Sequence, residues 1–212
     1  MMTVQKCLDC LKNEIHSVVF ATVGEDGKPY TCVIDVMLAE NEKLYFLTAK
    51  GKGFYDRIMK QKFVALTGMK GSDTMSITAI SIRGSVRNIG NELLGKIFDE
   101  NPYMNKIYQT PESRMALEVF EIYEGEIEYF NLSEDPIRQT FTFGNLNKTE
   151  EGYFIGNDCI QCGLCMEKCP TGCIQPGAPF VIQQGNCLYC GNCFEVCPVS
   201  AVKKWGNGCF TQ

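Results

Sequence analysis

The sequence predicts two domains: a mostly β domain, formed as a small closed barrel with flanking helices, and a small α+β domain at the C-terminal end. Residues 1–133 contain several short β-rich runs separated by turns, with few helical segments. That pattern is typical of small β-barrels. Residues 157–212 hold ten of the 13 cysteines, which indicates a second domain of different composition. We expect residues 134–156 to form the linker.

Composition and charge exclude several classes of protein. Of the 212 residues, 45% are hydrophobic, which is enough for packed cores. The net charge of -5 provides no basic surface for nucleic acid or anionic lipid. No apolar run approaches the length of a membrane span, and the first residues lack the apolar core of a signal peptide. We therefore expect a cytoplasmic protein without nucleic-acid or membrane partners, whose cysteines are buried or bind metal.

The cysteine-rich segment is an internal repeat. Residues 159–174 align without a gap on residues 187–202, and both halves read C-x2-C-G-x-C-x-E-x-C-P. Three cysteines of such a run can surround three corners of one cubane, whereas the turn at proline carries the fourth to the other cluster. The spacing predicts two 4Fe-4S clusters with these ligands: Cys159, Cys162, Cys165 and Cys197 for the first, and Cys187, Cys190, Cys193 and Cys169 for the second.

Zinc binding and chance are the alternatives to clusters. Structural zinc sites usually separate two ligand pairs by a longer spacer, so the repeated run favours clusters. The segment resembles the bacterial two-cluster 4Fe-4S ferredoxins over nearly its whole length. Cys173 is a departure, because Ala201 occupies the same position in the other half. Since eight other cysteines already satisfy the clusters, we interpret Cys173 as a filler. We interpret Cys209 and Trp205 as packing residues or as residues without a role.

The first domain is predicted to begin with an amphipathic helix over residues 3–16. Apolar positions recur there at helical spacing: Val4, Cys7, Leu8, Leu11 and Ile15. Cys7 and Cys10 lie one turn apart and could form a redox pair, but the apolar position of Cys7 favours packing. His16, the only histidine, is expected to cap this helix.

The remaining elements of this domain are mostly strands. Strands are predicted at residues 17–23, 30–38, 44–48, 63–67 and 76–86, with short helices at 54–60 and around 93–98. Residues 118–123 and 126–130 are predicted to form a hairpin closed at Glu124 and Gly125.

A glycine-rich loop with two cations precedes the helix predicted at residues 54–60. Its sequence, Ala-Lys-Gly-Lys-Gly at 49–53, would bring backbone N–H groups, the positive helix end and the ammonium groups of Lys50 and Lys52 together. Such a loop could cradle a phosphate. Lysine and glycine are also common in solvated connectors, so both interpretations stay open on the residues alone.

Four short phrases occur in order in this domain. They are Gly-Lys-Pro-Tyr at 27–30, Leu-Tyr-Phe-Leu-Thr-Ala-Lys-Gly-Lys-Gly at 44–53, Ile-Ser-Ile-Arg-Gly at 80–84 and Glu-Asn-Pro-Tyr-Met at 100–104. With them, residues 1–133 resemble the FMN-binding split β-barrels related to pyridoxamine 5'-phosphate oxidase. The whole chain resembles a branch in which such a barrel is fused to a two-cluster ferredoxin tail.

The resemblance implies one FMN per barrel, bound at the interface of a homodimer. By position, Leu47 and Thr48 would line the ribityl and phosphate side. Lys50 and Lys52, with Gly51 between them, would bind the phosphate. Many members of the family have arginine at the position of Cys32, so its absence here shifts more of the phosphate binding to the two lysines.

Further contacts follow from the same resemblance. Backbone groups of Cys32, Val33 and Ile34 would face the isoalloxazine ring. Candidates for the substrate side are Arg83, Tyr108, Glu112 and Arg114. Of these, Arg83, Tyr108 and Arg114 are possible catalytic residues. Arg83 could equally be a surface ion-pair partner. In the linker, Phe141 and Phe143 could cover the flavin or dock the tail, and we favour docking.

The predicted function follows from electron counting. Iron–sulfur clusters pass single electrons, whereas a flavin also transfers pairs. We expect an FMN-dependent oxidoreductase whose clusters relay electrons between an external low-potential donor and a flavin that reduces a small two-electron acceptor. An electron-transfer protein without its own substrate and a redox or flavin sensor are the alternatives. Motifs of serine hydrolases, zinc proteases, P-loop NTPases and Rossmann domains do not occur in the sequence.

Overall fold

The computed structural model describes residues 2–148 and 150–205, and the chain divides into two compact units. Residues 2–131 and 140–148 form the first unit. Residues 132–139, together with the described residues from 150 onward, form the second. The segment expected as a linker, residues 134–156, thus contributes to both units.

The first unit opens with helix α1 (Val4–Cys10), which continues as a π-helical segment over Leu11–Ile15. The Thr3 side chain accepts a hydrogen bond from the Lys6 N–H and caps the start of the helix. Cys7 and Cys10 are both buried as free thiols, and burial raises the pKa of Cys7 to about 12. The helix therefore packs on the barrel through an apolar face that includes both cysteines.

Seven antiparallel strands form the sheet of the first unit. They are β1 (Ser17–Val23), β2 (Pro29–Glu40), β3 (Lys43–Ala49), β4 (Phe63–Lys70), β5 (Thr78–Gly90), β6 (Leu117–Asn131) and β7 (Arg138–Phe143). Their order is β3-β2-β1-β4-β5-β6-β7, and β3 also pairs with β6. The first six strands thus close into a barrel, which confirms the predicted fold class, and β7 is a seventh strand beside β6.

Aromatic side chains fill the barrel. Phe20 and Phe46 lie with ring centroids 4.7 Å apart, and Phe120 stacks on Phe46 at 5.5 Å. Phe143 of β7 is also buried in this core, and Phe141 packs against it. The two phenylalanines of the expected linker are therefore part of the first unit's own packing.

The predicted hairpin around Gly125 is wrong, because residues 118–130 belong to the single strand β6. Gly125 pairs with Gly84 of β5 in the middle of the ladder. A Cβ on Gly125 would lie 2.5 Å from the carbonyl oxygen of Arg83. Glycine at this position permits a close approach of two strands and does not form a turn.

Four helices complete the first unit: α2 (Gly53–Gln61), α3 (Leu94–Glu100), α4 (Met104–Ile107) and α5 (Pro111–Arg114). Phe54 and Ile58, one turn apart on α2, are buried in the barrel core. Ile97 and Phe98 of α3 pack in a second cluster that includes Leu47. None of the helices in the described part of the chain has the length and apolar character of a membrane span.

The second unit consists of short elements that follow the sequence repeat. The strand β8 (Tyr153–Ile155) pairs with β11 (Val202–Lys204), and β9 (Ile174–Gln175) pairs with β10 (Val181–Ile182). Helix α6 (Leu164–Glu167) starts after Gly163, and α7 (Asn192–Glu195) starts after Gly191. Trp205 stacks on Phe154 at 5.1 Å, whereas Cys209 lies outside the described residues.

Candidate functional site

Two cavities in the second unit are lined by cysteine. The first is lined by Cys159, Cys162, Cys165 and Cys197 together with apolar side chains such as Ile155 and Phe180. The second is lined by Cys169, Cys187, Cys190 and Cys193, and also by Cys173. Each cavity therefore combines three cysteines of one half of the repeat with the last cysteine of the other half.

The backbone around α6 and α7 places these thiols. Gly163 and Gly191, which precede the two helices, have φ angles of 84° and 81°, a left-handed conformation that favours glycine. Backbone N–H groups point at sulfurs of predicted ligands: the N–H of Ala201 donates to Cys197 Sγ at 3.2 Å, and that of Tyr189 donates to Cys187 Sγ at 3.4 Å. Donors of this kind stabilise thiolates and tune metal clusters.

The chemistry of the two donor sets fits an iron–sulfur cluster. Four thiols around an apolar cavity are the usual ligand set of a 4Fe-4S cubane. Within the described residues, no group of three or more His, Cys, Asp or Glu side chains is arranged to hold a single metal ion.

Cys173 is the fifth thiol at the second cavity. Only 3% of it is exposed, and its Sγ lies 3.5 Å from Cys169 Sγ. Burial raises the pKa of Cys173 to about 12. The sequence predicted a buried residue near a cluster, and the structure places Cys173 against a predicted ligand.

In the first unit, the cationic loop leads into α2. Lys52 is the N-cap residue of this helix, and no side chain of the described residues caps its start. Arg57, just over one turn into the helix, donates to Thr22 Oγ1 at 2.8 Å and lies 4.6 Å from the ring centre of Tyr30. Burial raises the pKa of Cys32, and the positive charges of Arg57 and Lys52 oppose that shift. A helix start and two cations therefore lie near the Cys32 side chain on β2.

Lys50 has a different environment. Its ammonium group lies 3.1 Å from Glu118 Oε1, and the Tyr55 hydroxyl donates to the same carboxylate at 2.7 Å. Hydrogen bonds from Asn88, Tyr55 and Lys50 hold the pKa of Glu118 below its ordinary value. The charge of Lys50 is therefore already balanced by a carboxylate, unlike the arrangement expected of a lysine held ready for phosphate.

Thr48 carries an orphaned polar atom. Its side chain is 1% exposed, and Oγ1 finds no hydrogen-bond partner in the described chain. A buried hydroxyl without a partner is unfavourable and indicates a missing acceptor or donor. The residue before it, Leu47, is buried in the apolar cluster around α3.

The remaining predicted flavin contacts differ in exposure. Val33 is 66% exposed, whereas its neighbour Ile34 is buried and Cys32 is half-buried. This alternation follows the pleat of β2, so Cys32 and Ile34 lie on the face that packs on the barrel core and Val33 lies on the opposite face. Gly51 lies in the exposed loop, where a Cβ would meet no other atom within 4 Å.

The structure brings two of the predicted substrate-side residues together. Arg114 Nε donates to the backbone oxygen of Tyr108 at 3.2 Å, and its guanidinium lies 4.3 Å from the ring centre of Phe98. Glu112 is exposed on α5. Arg83 is on β5, opposite Glu126 of β6. The catalytic roles of these residues stay predictions.

His16 follows the first helix, where its N–H donates to the Leu11 carbonyl oxygen at 2.8 Å. The sequence predicted a capping role for this residue. In the structure, Nε2 lies 2.9 Å from the Tyr103 hydroxyl, which donates to Asp35 Oδ2 at 2.9 Å. His16, Tyr103 and Asp35 therefore form a chain of polar contacts between the end of the first helix, the segment after α3 and β2.

The fold and these sites define a split-barrel protein joined to a two-cluster domain. The family model described as pyridoxamine 5'-phosphate oxidase matches residues 4–133, and the model described as a 4Fe-4S dicluster domain matches residues 158–201. The chain therefore belongs to the pyridoxamine 5'-phosphate oxidase family and carries a C-terminal 4Fe-4S dicluster domain. No curated protein matches the chain.

Solved structures share the barrel. A NimC/NimA family protein of Clostridium acetobutylicum is 19% identical with a TM-score of 0.56, over 66% of this chain and 92% of that one. A heme binding protein of Mycobacterium smegmatis is 9% identical with a TM-score of 0.53, over 67% and 59%. A C. acetobutylicum protein related to general stress protein 26 is 13% identical with a TM-score of 0.50, over 66% and 96%. At these identities the similarity shows the fold alone.

Proposed function

We propose that this protein is an FMN-dependent oxidoreductase in which two 4Fe-4S clusters relay single electrons between a low-potential donor and a flavin that reduces a small two-electron acceptor. The observation that carries the proposal is the combination on one chain of a dicluster domain and a family barrel with an orphaned buried hydroxyl, Thr48 Oγ1, beside a cationic loop. A bound flavin supplies the conversion between one-electron and two-electron transfer.

For the clusters, we assign the ligands by the two cavities. Cys159, Cys162, Cys165 and Cys197 would hold one cluster, and Cys187, Cys190, Cys193 and Cys169 the other. Each cluster then depends on both halves of the repeat, so the second unit assembles as a whole. Apolar walls around both sets limit the access of water and oxygen to the metal.

For FMN, the first unit offers a phosphate site and a polar contact. Lys52 and the free N–H groups at the start of α2 would bind the phosphate, with Arg57 as a second cation. Arg57 lies close enough to Cys32 to affect its pKa, so it could supply the charge that many relatives carry at that position. Thr48 Oγ1 would gain its missing partner from the bound cofactor. Lys50, paired with Glu118, would contribute less than Lys52.

A homodimer is part of this proposal. Val19 and Val33 are direct cross-strand partners on β1 and β2, and they are 48% and 66% exposed. Phe63 and Met69 on β4 are also exposed apolar residues. Apolar side chains on a barrel surface favour coverage by a second copy, which would complete a cofactor site at the interface.

A reoxidation experiment separates the oxidoreductase from a carrier or a sensor. The anaerobically purified protein is reduced with dithionite and mixed with nitroaromatics, quinones or dioxygen, with and without bound FMN. We expect fast reoxidation by at least one two-electron acceptor, and loss of that rate when FMN is removed. Reoxidation by one-electron acceptors alone would favour the carrier. A heme absorption band in place of a flavin spectrum would overturn the FMN assignment.

A further inference from the structure

The second cysteine cavity has a buried thiol next to a predicted ligand, and the first cavity has none at the corresponding position. Cys173 lines the second cavity, and its Sγ lies 3.5 Å from Cys169 Sγ. The corresponding residue in the other half of the repeat is Ala201, which is buried to the same degree but carries no donor. The repeat therefore contains its own reference site, in which alanine takes the place of this thiol.

The hydrogen bonds around Cys169 identify Cys173 as the donor. The Thr171 hydroxyl lies 2.7 Å from the backbone oxygen of Asn186 and gives its single proton to that acceptor. That proton is not available to Cys169 Sγ, which is 3.6 Å from the Thr171 oxygen. The S–H of Cys173 is then the side-chain donor that reaches Cys169. A cysteine that ligates iron binds as a thiolate and has no proton to donate, so Cys173 is the donor of the 3.5 Å contact.

The other half offers its ligand no such side-chain donor. At the positions of Thr171 and Cys173 it has Val199 and Ala201. Backbone N–H groups of Thr171 and Cys173 reach the Cys169 sulfur, whereas those of Val199, Ser200, Ala201 and Val202 reach the Cys197 sulfur. Of these two sulfurs in the described chain, that of Cys169 is the one with a side-chain S–H beside it.

We propose that Cys173 donates a hydrogen bond to the Cys169 thiolate and thereby raises the reduction potential of the cluster held by Cys169, Cys187, Cys190 and Cys193. The inference rests on the cluster ligands assigned under the proposed function. Reduction places more negative charge on the ligand sulfurs, so a donor to one of them stabilises the reduced state. One electron enters from the external donor, the Cys173 proton stays on its sulfur, and no bond to Cys173 forms or breaks.

Variants at the two corresponding positions test the inference in the full chain. Cys173→Ala removes the donor, and Cys173→Ser replaces the thiol donor by a hydroxyl donor. Ala201→Cys adds a thiol donor to the other half of the repeat. Both clusters are titrated with dithionite and mediators, and the reduced clusters are followed by electron paramagnetic resonance.

We expect Cys173→Ala to lower the equilibrium constant for reduction of the cluster beside residue 173 by about fivefold to tenfold, the range for one lost hydrogen bond. A tenfold change corresponds to a reduction potential about 59 mV lower for a one-electron couple. The reduction potential of the cluster near Ala201 should not change in this variant. Cys173→Ser should retain most of the wild-type potential, and Ala201→Cys should raise the reduction potential of the cluster near residue 201.

The iron content separates the failure of this inference from the failure of the proposed function. About eight irons per chain with unchanged potentials in Cys173→Ala would overturn the inference and leave the cluster assignment intact. Loss of about half of the iron in Cys173→Ala would also overturn it, because Cys173 would then be a ligand. Wild-type protein with zinc in place of iron would overturn the proposed function itself.

Discussion

Gly84 of β5 and Gly125 of β6 lie opposite each other, where the two strands approach too closely for a side chain on either. A Cβ on Gly125 would lie 2.9 Å from the Cα of Gly84, and a Cβ on Gly84 would lie 2.7 Å from the backbone oxygen of Glu124. Because both residues are glycine, β6 continues through the barrel as one strand of 15 residues. The same strand pairs with β3 and closes the barrel.

This contact makes Gly125→Ala a test of the barrel's closure. The added methyl group would meet backbone atoms that cannot move aside, so we expect a loss of about 1–3 kcal/mol in the free energy of unfolding, as for overpacked cores. Gly95→Ala in α3 is the control, because a Cβ there meets no other atom within 4 Å. That variant should be neutral or gain about 0.5–1 kcal/mol. Urea unfolding measures both variants. Equal effects of the two changes would contradict the close approach of β5 and β6 at Gly84 and Gly125.

Thr48→Val tests the role of the orphaned hydroxyl. Valine has nearly the same shape but no polar atom, so the FMN-free protein should be unchanged or more stable by about 1 kcal/mol. The affinity for FMN should fall, because the hydroxyl would find its partner only in the complex. Thermal unfolding of the FMN-free protein and flavin fluorescence titration give the two values. A variant that is less stable without FMN and binds it as tightly as wild type would contradict this role.

Lys52→Ala tests the phosphate site at the start of α2. Loss of a charge-assisted hydrogen bond to phosphate should weaken FMN binding about tenfold to 100-fold. Lys60→Ala is the matched control, since Lys60 lies on the same helix and its ammonium group pairs with Glu25 at 2.7 Å. It should leave the affinity unchanged, and Lys50→Ala should have a smaller effect than Lys52→Ala. An unchanged affinity for Lys52→Ala would place the phosphate elsewhere.

Glu121 gives the barrel a pH-dependent contribution to stability. Burial opposes ionisation of this carboxyl group, but hydrogen bonds from Lys43 and Arg87 outweigh it and lower the pKa in the folded state. A lowered pKa in the folded state stabilises the protein above the unfolded pKa of about 4.3, and this contribution is lost as the pH falls through the folded value. We expect Glu121→Gln to cost about 1–3 kcal/mol at neutral pH.

The pH dependence distinguishes this charge effect from a packing effect. The difference in stability between wild type and Glu121→Gln should shrink below about pH 4, where the wild-type carboxyl group begins to take up a proton. Urea unfolding at several pH values measures it. A difference that stays constant with pH would show that packing, and not the ion pairs with Lys43 and Arg87, sets the effect.

Local patterns predicted most of the strands and both sets of cysteines. β1 begins and ends at the predicted residues, because alternation and the flanking turns are both encoded within a few positions. The cysteine sets follow from spacing and repetition alone, and the same two sets line the two cavities. These features depend on short stretches of chain, which sequence patterns describe well.

Features that depend on distant strands were not predicted. Gly125 was interpreted as a turn residue, because its partner Gly84 lies on another strand. Glu118 pairs with Lys50 only because β6 lies next to β3. Arg57 was overlooked as a candidate for the proposed phosphate site, although its position just over one helical turn after Lys52 was a usable signal. Barrel closure brings these residues together, and no local pattern encodes it.

A count of cofactors and electrons on anaerobically purified protein tests the central claim most directly. We predict about eight irons and one FMN per chain, and an uptake of about four electrons in a dithionite titration, one for each cluster and two for the flavin. Addition of a substoichiometric amount of reductant should bleach both the iron–sulfur and the flavin absorption. Protein that lacks FMN, or whose flavin stays oxidised while the clusters are reduced by excess dithionite, would contradict the account.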